Sequence, residues 1–65
     1  MHKQKTMWII EFRSGTYFQH LDAMNGGPAH TAQTFPSQSA TEDFMALHEW
    51  ILMNGGMPVE ISTLL

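Results

Sequence analysis

Two short apolar runs near the start of the chain have the pattern of strands. Met7-Trp8-Ile9-Ile10-Glu11-Phe12 and Thr16-Tyr17-Phe18-Gln19-His20-Leu21 are rich in β-branched and aromatic residues, and only Arg13-Ser14-Gly15 separates them. Such side chains suit a pleated, half-buried surface, and a short glycine-containing break joins two such runs as a β-hairpin. Two registers are open. If Ser14-Gly15 is a two-residue turn, Phe12 faces Tyr17 and Trp8 faces Leu21; if Arg13-Ser14-Gly15 is a three-residue loop, Phe12 faces Thr16 and Ile10 faces Phe18. The second is preferred, because it gathers Trp8, Ile10, Phe12 and Phe18 on one face and places Gly15 where positive φ is needed.

From Asp22 to Pro28 turn-forming residues cluster, which predicts a loop, and Ala29 to Phe35 can then extend as a weak third strand that Pro36 ends. Ser39-Ala40-Thr41-Glu42 has the spacing of a capping box, so a helix is expected from Ala40 to about Met53, stopped by Asn54-Gly55-Gly56. Projected on a helical wheel, Ala40, Phe44, Leu47 and Ile51 share a stripe flanked by His48 and Leu52, and that stripe should face the sheet. After Pro58, Val59 to Thr63 alternates apolar and polar with period two, the pattern of a final strand beside the hairpin. The expected architecture is a two-layer α+β domain, ββ(β)αβ, in which a small antiparallel sheet of three to four strands packs on one helix. Met-Asn-Gly-Gly occurs at Met24 and again at Met53, but the flanking segments differ, so it is not a structural repeat.

With 65 residues the chain forms a single domain, preceded by residues 1–6 as a flexible tail. A core of this size yields only about 3–5 kcal/mol, and small domains usually add a disulfide, a metal or a partner subunit. The sequence has no cysteine, which removes the first of these and fits a reducing compartment. The apolar run after the basic start is too short for a signal peptide, and no stretch approaches the roughly twenty residues of a membrane span. A cytoplasmic location without membrane contact follows. Charged residues make up only 14% of the chain against 43% hydrophobic ones, so some apolar surface is expected to stay outside. The net charge of −3 disfavours nucleic acid as a partner, and six scattered acids do not make the dense array a DNA mimic needs.

Chemistry-bearing residues are few. Of the four histidines, at 2, 20, 30 and 48, none has metal-signature spacing, so neither a metal nor a cofactor is expected. His20 and His30 could nevertheless lie near one another as polar contacts for a small ligand. His20 with Asp22 and His48 with Glu49 are the nearest acid–base pairs, but the first sits at a strand's loop end and the second points about 100° apart on a helix. The serines read as turn or cap residues, and neither Gly-Gly pair opens a helix as a phosphate loop does. No catalytic residue is assigned. Trp50 projects about 100° from the centre of the sheet-facing stripe. With Ala46, Met53 and Met57 it forms a candidate interface patch, since tryptophan is enriched at binding hot spots, although a lid over the core edge is its ordinary role.

Trp8-Ile9-Ile10, then Gly15-Thr16-Tyr17-Phe18, then Thr34-Phe35-Pro36-Ser37, and Pro58-Val59-Glu60-Ile61 at the close resemble short accessory proteins of phages and prophages over most of the chain. The resemblance implies a role by binding host or phage machinery, often as a homo-oligomer, and carries over no individual residue. The expected function is therefore a non-enzymatic protein-interaction module, homodimeric, with a protein partner. The alternative is a small-ligand or nucleotide binder with its pocket near the 22–30 loop or between subunits.

Overall fold

The computed structural model describes residues 4–22 and 25–64. Their order is β1 (Gln4–Glu11), a single 3-10 turn (Ala29–Thr31), α1 (Gln38–Leu47), α2 (Glu49–Met53) and β2 (Met57–Leu64). β1 and β2 are antiparallel neighbours, with Met7 opposite Ile61, Ile9 opposite Val59 and Glu11 opposite Met57. β1 takes in residues 4–6, expected to be tail; the rest of that tail, with His2, lies outside the described residues, as do Ala23 and Met24 of the 22–28 loop.

The hairpin forms in the preferred register. Phe12 N–H donates to Thr16 O at 2.8 Å, Phe18 N–H to Ile10 O at 2.9 Å, and Gly15 N–H closes the loop on Phe12 O at 2.9 Å. Gly15 has φ +90°, a region that costs an L side chain steric strain. The second arm is shorter than expected. Tyr17 exchanges two 2.8 Å bonds with Gly27 on its far side, and Phe18 O accepts from Gln33 N–H at 3.0 Å, so the arm leaves β1 after Phe18. Its place is taken by Phe35, which exchanges bonds of 2.8 and 2.9 Å with Trp8. The expected third strand over 29–35 is thus a 3-10 turn followed by one bridging residue, and the sheet has two strands rather than three or four. The missing ladder is replaced by isolated bridges because one edge of β1 is shared between two distant segments.

The single expected helix is two. Ser37, not Ser39, caps α1: its Oγ accepts from Ala40 N–H at 3.1 Å, and Thr41 Oγ1 donates to Ser37 O at 2.7 Å. The helix breaks at His48, whose φ −130° and ψ 78° lie outside the helical region, and α2 restarts at Glu49. The end of α2 follows the glycine logic of the sequence. Gly56 N–H bonds back to Ile51 O and Gly55 N–H to Leu52 O, with Gly55 at φ +76°, a Schellman closure.

α1 turns a different face to the sheet from the expected stripe, and the break at His48 brings Ile51 onto that face. Leu47, placed on the inner stripe by an unbroken helix, is 79% exposed, while Thr41, Met45 and Ile51 are buried. The core consists of Ile10, Phe12, Phe18, Phe35, Met45 and Ile51, ringed by half-buried Trp8, Phe44 and Trp50. Phe44 bridges the layers, its ring 5.3 Å from that of Phe18 and 5.1 Å from that of Phe35. Strand alternation puts Ile10 and Phe12 under the helices and Met7, Ile9 and Glu11 on the opposite face, where Val59 and Ile61 of β2 join them.

Candidate functional site

The four residues expected to form an interface do not share one environment. Trp50 leans inward: its ring centroid lies 6.0 Å from that of Phe12 and 6.0 Å from that of Phe18, so the indole closes one end of the core. Ala46 is exposed on α1, Met53 is 79% exposed at the end of α2, and Met57 is 54% exposed at the start of β2. Leu47 at the end of α1 and Leu52 on α2 add to the outward apolar side chains. A stripe centred on Ala40, Phe44, Leu47 and Ile51 hides Leu47, whereas α1 buries Thr41 and Met45 and turns Leu47, about 200° from Met45, to the outside.

A second apolar surface lies on the other face of the ribbon. Met7, Val59 and Ile61 are half-buried around a fully covered Ile9, on the face of the ribbon away from the helices. The signal was present in the alternation of residues 59–63, which pairs its apolar members with the odd-numbered residues of β1. At the border of this face Tyr17 Oη donates to Glu11 Oε2 at 3.2 Å. That hydrogen bond, then the carboxylate's charge, then burial raise the phenol's pKa above its usual value.

His20 and His30 are both exposed and do not line a common pocket. His20 borders a groove of about 280 Å³ with Phe18, Leu21, Gln33 and Phe44, whereas His30 lies in the 3-10 turn. His48 packs its ring on Phe44 at 4.6 Å. Among the described residues no three His, Cys, Asp or Glu side chains come together as a metal site. Among the described residues no helix is long and apolar enough to cross a membrane.

A larger groove of about 620 Å³ lies at the hairpin tip, lined by Phe12, Arg13, Ser14, Thr16, Asn25, Met53 and Asn54. Arg13 N–H donates to Asn54 O at 3.1 Å and Thr16 Oγ1 to Asn25 O at 3.3 Å, so backbone links from three segments hold its walls. Gln19 ties the far side of the 25–31 loop down through Nε2 bonds to Tyr17 O and Pro28 O.

Comparison with protein-family models, curated proteins and solved structures finds no match to this chain.

Proposed function

We infer that the chain is a small protein-interaction module, acting by binding and not by catalysis, and self-associating as a homodimer. The observation that carries this reading is the apolar surface left uncovered: Leu21, Leu47, Leu52, Met53 and Met57 are each 47–79% exposed in a domain whose helices cover one face of its sheet. Size supports it. The accessible surface is 4543 Å², against about 4200 Å² for a compact monomer of this mass. The radius of gyration, 11.9 Å, exceeds the roughly 11 Å expected of a globular chain this long. Both deviations point to a molecule drawn out along its ribbon, 41 Å in its longest dimension, with less self-coverage than a compact chain of this size has. The sequence resemblance supports a role like that of the accessory proteins of phages and prophages, in the cytoplasm and on a host or phage protein.

Sedimentation velocity over a range of loading concentrations tests the reading. A sedimentation coefficient that rises toward the dimer value is expected; a well-folded species that stays monomeric at high micromolar concentration removes the self-association.

A second reading, a binder of small anionic ligands, is favoured by one observation, the hairpin-tip groove that sets Arg13 among Thr16, Asn25 and Asn54. A thermal-shift series with nucleotides discriminates. On this second reading a nucleotide raises the melting temperature and Arg13→Ala abolishes the rise; on the first, none of them shifts it.

A further inference from the structure

The hydrogen-bond directions along β1 determine which backbone groups of β2 face outward. Trp8 exchanges both of its backbone bonds with Phe35, Ile10 O accepts from Phe18, and Phe12 N–H donates to Thr16. In a strand the N–H and C=O of one residue point to the same side, and successive residues alternate. The even-numbered residues of β1 therefore face the hairpin arm and Phe35, and the odd-numbered ones face β2. Through the register, Met57, Val59 and Ile61 point their backbone groups at β1. Pro58, Glu60 and Ser62 point theirs away from it. Pro58 fits this assignment, because its missing N–H falls where β1 needs no donor. Among the described residues, no hydrogen bond from outside the β1–β2 ladder reaches the backbone of Glu60 or Ser62, and the register points both away from that ladder.

Natural proteins guard such an edge with lysine, bulges, proline or brevity. This one has a proline at its start and a lone Glu60, on a strand of 8 residues with an uninterrupted register. The edge is thus closed at Pro58 and open beyond it. We propose that it pairs with the same edge of a second copy, antiparallel, about a twofold axis through Ile61. The proposal rests on the self-association reading and specifies its geometry. Three features favour a second copy in this register. Glu60 of each chain lies opposite Ser62 of the other, so a carboxylate faces a hydroxyl donor twice over. A twofold axis at residue 60 would instead oppose two carboxylates. Ile61, half-exposed in one chain, meets its own copy at a non-hydrogen-bonded position, where side chains approach most closely. The apolar row of Met7, Ile9, Val59 and Ile61 then runs unbroken across both chains.

Variants at Ser62 test this by light scattering on the full chain, with the thermal melt checking that each one folds. Ser62→Lys puts Lys opposite Glu60 of the other copy and is expected to tighten the dimer several-fold. Ser62→Glu opposes like charges and is expected to loosen it. Ser62→Pro removes an N–H that β1 does not use, and should leave a folded monomer. If the native chain dimerises but these variants do so with unchanged affinity, the self-association reading stands and the edge pairing falls. If Lys weakens the dimer, the twofold axis through Ile61 is wrong. A native chain that is strictly monomeric overturns both.

Discussion

Tyr17 is the described side chain whose ionisation the fold visibly perturbs, and its consequence for stability has a definite sign. The phenol donates to Glu11, so the folded state holds that proton more firmly than the unfolded chain does. The stabilisation is therefore complete below the phenol's ordinary value, about 10, and is lost as pH rises through the elevated folded value. Comparing urea midpoints at about pH 8 and about pH 11 should show a larger alkaline loss for the native chain than for Tyr17→Phe. Equal losses would mean that the bond does not persist in solution. Gly56 makes a packing prediction at the same scale. A Cβ there would lie 2.6 Å from Ile51 Cγ2 and 2.7 Å from Ile51 O, and a backbone oxygen cannot move aside cheaply. Gly56→Ala is expected to cost about 1–3 kcal/mol in chemical denaturation, as overpacked sites do. Trp50 tests the balance between core and surface. Its indole packs on Phe12 and Phe18, so Trp50→Ala should lower stability by about 2–4 kcal/mol, whereas Leu47→Ala should change it by less than about 0.5 kcal/mol.

Most elements begin or end where a local signal acts, and the start of α1 shows how such a signal can lie two residues from where the pattern puts it. The capping-box spacing points to Ser39, but Ser39 lies inside α1, and it is Ser37 that adopts the extended backbone of a cap and accepts from Ala40 N–H. Ser37→Ala should therefore cost about 1 kcal/mol in thermal or chemical denaturation, and Ser39→Ala should be close to neutral. The reverse result would move the helix start to where the sequence pattern alone puts it. What was legible and what was not divides along the same line. Gly15, Gly55 and the alternation of residues 59–63 act through local backbone geometry, so the hairpin register, the helix stop and the last strand could be read directly from the chain. Residues 29–35 could not, because extended propensity there competes with a distant event: Tyr17 bonds Gly27 and Phe18 bonds Gln33, leaving Phe35 alone to reach Trp8. The break at His48 has no glycine or proline to announce it. It shows in what it changes, bringing Ile51 and Trp50 onto the core beside the buried face of α1. In the expected patch, Ala46, Trp50 and Met53 share one side of a continuous helix and Met57 joins them from beyond its end. In the structure Trp50 belongs to the core edge, and the other three carry the exposure.

Viewed whole, the molecule has one small aromatic core beneath two short helices and a β-ribbon with a second apolar face and an open edge. The core leaves little margin at this size, and uncovered apolar side chains on both layers give association a hydrophobic gain that an isolated chain forgoes. Edge pairing adds direction to that gain, because main-chain hydrogen bonds fix which strands meet and in which register. Native-state amide exchange, measured residue by residue in dilute and in concentrated solution, tests this most directly. Val59 and Ile61 donate within the chain and should be protected at both concentrations. Glu60 and Ser62 should exchange freely when dilute and become protected when concentrated. Protection of those two amides that does not change with concentration, or that is absent throughout, would contradict the account.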